Sequence, residues 1–241
     1  MKILEDLIES LRGKDHPVKE VLTGAYWTAV VSRGCGLAST FRDDGHSHKK
    51  GVGEIGRLKE KTALELAQYA LSDYPLEASI GMAAINSLID IDERMGVEKN
   101  AADILWEKGK NKDMAVVGHF PFIPRLREGA RNLWVFEQRP REGDLRPEDA
   151  PRILPRCEVI GITGTAFINH TLEELLQWSR GKFVLLIGPT TPLTPFLFDY
   201  GIHGLSGTIV VDPQEALRFI SQGATYQEIR GVRRVTILRE E

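Results

Sequence analysis

The chain has 241 residues, 42% of them hydrophobic and 27% charged, with a formal net charge of -3. That apolar content is enough to bury a sizeable core, in one large domain or two small ones, and it excludes a disordered chain. The near-neutral balance excludes the general attraction for nucleic acid or anionic membrane that a clustered basic surface would give.

Leu4, Leu7, Ile8 and Leu11 fall at helical spacing before Gly13, which predicts an amphipathic helix over 2–12. Lys2, Glu5, Asp6, Glu9 and Arg12 interrupt the same stretch, so it lacks the apolar region of a signal peptide. No apolar run reaches the roughly 18 residues that span a bilayer, and a soluble, cytoplasmic protein is expected. Two β-prone stretches follow at 18–23 and 25–33, too close together for a crossover helix and so antiparallel. Residues 34–60 are rich in glycine and charge and read as a long loop with room for a short third strand. Helices are predicted over 61–71 and 76–90, the second apolar on nearly every side and therefore buried. Strands followed by helices make an α+β unit.

After a charged linker at 107–113 the rhythm changes. Apolar strands at 114–118, 133–137, 158–163, 183–188 and 207–211, with a last β-like run at 234–238, alternate with helical segments. This pattern predicts a parallel sheet covered on both faces. Thr171 with Glu174 and Asp212 with Glu215 have capping-box spacing, Pro213 suits a first helical position, and Gly181 and Gly223 suit helix ends. The fold class expected is thus α/β: an α+β domain over 1–108, then a Rossmann-like, doubly wound domain over 109–241.

In such sheets ligands bind beyond the carboxyl ends of the strands. The first strand ends in Gly118, His119, Phe120 and Pro121, and the second in Glu137, 19 positions beyond Gly118, a spacing that suits an acid on ribose hydroxyls. The first turn departs from the glycine-rich dinucleotide loop: Pro121 has no amide to donate and Phe120 is bulky, so a closely cradled diphosphate is disfavoured. A nucleoside, adenosylmethionine or another flat ring stays open, with Phe120 as a stacking wall, as does plain packing of the turn. A methyltransferase is opposed by the missing glycine-rich loop.

The runs VVGHFPFIPRLRE, LWVFEQRPREGD, ITGTAFINHTLEELL, LIGPTTPLTPFLFDYG and LSGTIVVDP resemble the Rossmann-like family labelled putative heavy-metal chelation. Upstream, GRLKEKTALELAQYALSDYPLEASIGMAAINSL resembles its small N-terminal partner domain, similar in fold to the N-terminal domain of enolase. The resemblance implies a ligand site in the cleft between the two domains. Carried over by motif, its candidates are Glu77, Ser79 and Asn86 in the first domain. In the second they are Gly118, His119, Phe120, Pro121, Glu137, Thr163, Gly164, Asn169, Thr171, Gly188, Pro189, Thr191 and Pro192. Enolase's metal-binding barrel is absent, so no enolase chemistry follows.

Glu77 and His119 are the acid–base candidates, against helix-dipole compensation for the first and a hydrogen-bonded turn for the second. Asn86 is expected to tie its helix to a loop, Thr171 to cap a helix, and Thr191 to face the cleft. The densest donor cluster is Asp43, Asp44, His46 and His48, whose spacing matches no familiar metal site. Cys35 and Cys157 stand apart as reduced thiols, so a heavy metal would be met through a small organic chelator rather than held directly. No motif names a cofactor, and a homodimer is the base-rate expectation. Two readings remain: an enzyme acting on a chelator or a pterin- or flavin-like precursor by condensation, hydrolysis or group transfer, or a binding protein for a metal chelate or nucleoside-like ligand.

Overall fold

Helix α1 (Lys2–Ser10) opens the chain, with Ile3, Leu4, Leu7 and Ile8 on its buried face as the spacing predicts. The computed structural model describes residues 2–41, 51–91 and 99–240. Strands β1 (Glu20–Thr23), β2 (Trp27–Val31) and β3 (Cys35–Ser39) form an antiparallel sheet in sequential order. The third strand occupies what the sequence presents as loop. Its small residues, CGLAS, carry little β signal because the strand lies directly against a helix: a Cβ at Gly36 would sit 2.1 Å from the Ala83 carbonyl oxygen.

That helix is α3 (Pro75–Leu88), preceded by the short α2 (Ala63–Ala67), whose Thr62 and Glu65 form a reciprocal capping box. Nearly every residue of α3 is buried, as its all-round apolarity requires. Gly81 permits its approach to the turn before it, since a Cβ there would lie 2.0 Å from the Ala70 nitrogen.

The remaining chain builds α4 (Ala101–Gly109), β4 (Asp113–Val117), α5 (Ile123–Gly129), β5 (Asn132–Phe136), α6 (Ala150–Ile153), β6 (Val159–Thr163), α7 (Leu172–Trp178), β7 (Phe183–Ile187), β8 (Gly204–Val210), α8 (Pro213–Ser221) and β9 (Val232–Leu238). Most of the expected linker is thus structured. The charges of 107–113 lie at the end of α4 and the start of β4, while Ala101, Ala102, Ile104 and Leu105 bury the other face of the helix. Asp212 caps α8 by accepting from the Glu215 amide, and Gly181 and Gly223 adopt the left-handed conformation beyond their helices.

The six-stranded sheet runs β5-β4-β6-β7-β8-β9; β5 through β8 are parallel and β9 pairs antiparallel with β8. Alternation sends Ala115, Ile160, Ile162, Val184 and Leu186 into one apolar cluster and Met114, Val116, Val159, Leu185 and Ile187 into another. The second is covered by Leu105 of α4 and by Ile123 and Leu126 of α5. The first includes Leu172 and Leu175 of α7 and continues without a break into Leu4, Leu7, Ile80 and Ile85. Helix α8 returns to the smaller sheet, where Ile220 meets Ala29 and Leu37 and the Trp27 indole donates to the Ala224 carbonyl at 3.0 Å. Because β4 is followed by β5 on one side and β6 lies on the other, the strand order reverses between β4 and β6. Their carboxyl ends form the crevice where such sheets bind ligands.

Candidate functional site

Gly118 ends β4 with φ +101, a conformation that favours glycine, and turns His119 out of the strand direction. The His119 amide donates to Glu137 Oε2 at 3.0 Å, and the Gln138 amide donates to Glu137 Oε1 at 2.9 Å. The carboxylate beyond β5 is thereby held against the first turn by two backbone donors. The His119 ring meets a partner the sequence does not pair it with: Nδ1 lies 2.8 Å from Asp144 Oδ2. The Asp144 side chain is only 1% exposed, against 22% for His119. Asp144 Oδ2 also accepts from the Arg141 amide at 3.1 Å, which fixes its orientation. With Asp144 as acceptor, Nδ1 carries the ring proton and Nε2 is left as the group that can take or give a proton.

These residues open onto a cavity of about 490 Å³. Gly118, His119, Phe120, Glu137, Thr163, Asn169 and Thr171 line it from the expected set, and Phe41, Thr165, Glu174 and Trp178 join them. Thr171 differs from its expected role. It stands at the N-cap position of α7 but makes no capping bond; its hydroxyl donates to Asn169 Oδ1 at 2.7 Å instead. Asn169 Oδ1 also accepts from the Thr171 amide at 3.3 Å, so the Asn169 side chain closes this turn while both residues line the cavity. Phe120 stacks on Phe122, with ring centroids 5.1 Å apart.

Beyond Phe120, Thr163 and Thr165 lies a second cavity of about 790 Å³, which shares those three residues with the first. Pro121, Gly188 and Pro189 line it, with Thr190. Gly164 is buried under the same loop, where a Cβ would meet the Thr191 nitrogen at 2.7 Å. Thr191, expected to face the cleft, lines neither large cavity. Gly188, at φ +111, turns the loop so that Thr190 takes that place, while Thr191 is buried and lines a small space of about 150 Å³. Pro192 is buried beside it and lines none of these spaces.

The three α3 candidates are drawn elsewhere. Glu77 is buried and lines neither large cavity. Its Oε1 accepts from the Gly53 amide at 2.8 Å and its Oε2 from the Ser72 hydroxyl, so the carboxylate ties a loop and a turn to the start of the helix. In that geometry both oxygens of the acid–base candidate are bonded within the fold. Ser79 accepts from the Phe41 amide at 3.0 Å and donates to the Pro75 carbonyl, reaching the first cavity only through Phe41. Asn86 donates to the carbonyls of Leu37 at 2.8 Å and Thr190 at 3.2 Å, the tie between helix and loop that its burial suggests.

Two family models, both described as "Putative heavy-metal chelation", match residues 4–89 and 100–239 of this chain. The chain belongs to this family. A structure of a DUF364-family protein of unknown function from Desulfitobacterium hafniense is similar to it across 99% of this chain and 98% of that one, with a TM-score of 0.88 and 28% identity. A second, from Pyrococcus horikoshii, also of unknown function, matches over the same shares with a TM-score of 0.84 and 21% identity, a likeness of fold. An uncharacterized protein of Methanocaldococcus jannaschii is 27% identical over 206 residues, 81% of this chain and 78% of the relative.

The family's description raises a directly held metal, and the donor chemistry of the described residues does not fit one. No group of three or more His, Cys, Asp or Glu side chains among them is placed to hold a metal ion. Cys35 and Cys157 form no disulfide, and burial pushes each thiol up to about 12. Asp43, Asp44, His46 and His48 lie outside the described residues. No described helix is long and apolar enough to cross a membrane.

Proposed function

We propose that the first cavity binds a small ring-bearing organic molecule and that His119, oriented by Asp144, transfers a proton to or from it. The observation that carries this reading is the convergence of that pair with Glu137 in one largely apolar space at the reversal point of the sheet. Apolar walls remove water, which strengthens the few polar groups that remain, and a buried acid behind a histidine holds the ring in one tautomer. Glu137 and Asn169 recognise hydroxyl or amino groups, while Phe41, Phe120 and Trp178 cover a flat ring. A metal chelator, or a pterin- or flavin-like precursor, meets those requirements, and condensation, hydrolysis and group transfer all need one positioned acid–base group.

A second reading, retention of a metal chelate or nucleoside-like ligand without turnover, is favoured by Glu137 at the end of the second parallel strand, the position that suits ribose hydroxyls. Thermal-shift screening of pterins, flavins, nucleosides, adenosylmethionine and preformed metal chelates tests both. A bound compound at one hundred times its dissociation constant stabilises the fold by about 2.7 kcal/mol. Glu137→Gln is expected to remove the shift. His119→Ala is expected to keep it and, if the protein is an enzyme, to slow turnover by about 10²–10⁴-fold. The cavity reading fails if no compound class shifts the melting temperature, or if Glu137→Gln leaves the shift unchanged. Turnover unaffected by His119→Ala removes the catalytic role alone.

A further inference from the structure

The two large cavities share a wall but differ in charge. Among the described residues Glu137, Glu148 and Glu174 line the first, together with the His119 that pairs with Asp144, and no lysine or arginine does. The second has the reverse character: among the described residues Lys99 and Arg234 line it, and no aspartate or glutamate does. Lys99 is spent on Glu107 at 2.8 Å, leaving Arg234 as the cation whose charge is not matched. Among the described residues Arg234 has no carboxylate partner. Its guanidinium lies 4.5 Å from the centroid of the Tyr226 ring and gives one bond, Nη2 to the Tyr226 carbonyl at 3.3 Å. Stacking on an aromatic face fixes the plane of the fork while leaving most of its N–H donors available, the arrangement that suits a planar or tetrahedral anion. Tyr226 is itself held by Trp27, with centroids 5.6 Å apart, and by the Thr208 hydroxyl. Thr225, Thr236 and Ser206 line the same cavity, the Thr225 hydroxyl donating to Glu228 and the Thr236 hydroxyl to the Lys99 carbonyl, and the volume is that of a small-molecule site.

We propose that the second cavity is an anion-binding site for the carboxylate or phosphoryl group of a small aromatic or heterocyclic molecule, with Arg234 as the residue that recognises it and Trp27 and Tyr226 as the apolar wall. The inference is independent of the chemistry assigned to the first cavity.

Calorimetric titration of the whole chain with benzoate, phenyl phosphate and the neutral analogue benzamide tests it. Both anions are expected to bind at least about tenfold more tightly than benzamide, because a charge-assisted bond is lost with the neutral compound. Arg234→Gln is expected to weaken anion binding by about tenfold or more and Arg234→Lys by less, while Glu137→Gln, in the other cavity, leaves it unchanged. Tighter binding of phenyl phosphate assigns the site to phosphoryl groups, and tighter binding of benzoate to carboxylates. Equal binding of benzoate and benzamide, undiminished anion binding by Arg234→Gln, or no heat from either anion overturns the proposal. Because Glu137→Gln separates the two cavities, failure here does not count against the first.

Discussion

Glu77, Ser79 and Asn86 on α3 and His119, Glu137 and Asn169 at the parallel strand ends are all polar and all at least partly buried, yet the fold uses them in opposite ways. On α3, the carboxylate of Glu77 and the Nδ2 group of Asn86 are taken up by neighbouring backbone and hydroxyl groups. At the strand ends each side chain is oriented and part of it stays open: two amides grip Glu137, Asp144 holds His119 by Nδ1 and leaves Nε2, and Asn169 accepts from Thr171 while its Nδ2 has no acceptor among the described residues. The difference teaches that burial of a polar group does not by itself mark a site. What distinguishes the strand ends is polarity that the protein orients without consuming, beside an open volume.

The sharpest test of that contrast is Glu77→Ala, which removes the buried carboxylate that the Gly53 amide and the half-buried Ser72 hydroxyl share. A loss of about 3 kcal/mol in urea unfolding is expected, from two bonds to a charged acceptor, with anion binding in the second cavity unaltered in the folded fraction. A loss below about 0.5 kcal/mol would erase the distinction. Asn86→Ala comes next, at about 1–2 kcal/mol, since it frees the Leu37 and Thr190 carbonyls, whereas Asn169→Ala should change stability little and act on ligand affinity. Parallel denaturation and binding measurements on the two variants would break the comparison if both lost the same property.

The smallest effect concerns His203, another polar group taken up internally. The Val184 amide donates to its Nδ1 at 3.4 Å, and its pKa is lowered, first by burial and then by Arg239. The unfolded chain therefore takes up this proton at a higher pH than the folded one. Its contribution to stability is full above the ordinary value of about 6.5 and declines as pH falls from there toward the lower folded value. His203→Asn should flatten that dependence, as read from urea midpoints on either side of about pH 6.5. An unchanged slope would show that other groups set it.

The amphipathic first helix, the buried α3 and the parallel strands were all legible because each has a period or an apolar run that local geometry demands. Strand β3 was only faintly marked, as a place for a short third strand, because packing on α3 selects small residues over β-branched ones at Gly36 and Ala38. Asp144 was hidden for another reason. It sits among arginines and glutamates, where one more charged residue forms no pattern, and its partner is 25 positions away. The one local signal is the turn at Gly143, with φ +83, which brings the chain back so that the Leu145 amide reaches the Val135 carbonyl at 2.7 Å. Thr190 and Thr191 show the same limit at finer grain: a threonine pair is visible, but the direction of each depends on how Gly188 turns the loop.

By itself the sequence determined where the chain becomes helix or strand in most places, that the second sheet is chiefly parallel, and which residues stand just beyond its strands. Those properties depend on neighbours within a few positions, whose side-chain spacing and turn chemistry act locally. Tertiary structure alone decided that the strand order reverses between β4 and β6, that Asp144 stands behind His119, that Glu77 is taken up by Gly53 and Ser72, and that two cavities of opposite charge share the Phe120 wall. Each of these joins residues far apart in the chain. Such pairings follow from how sheets and helices bury their apolar faces together, and no local pattern encodes them.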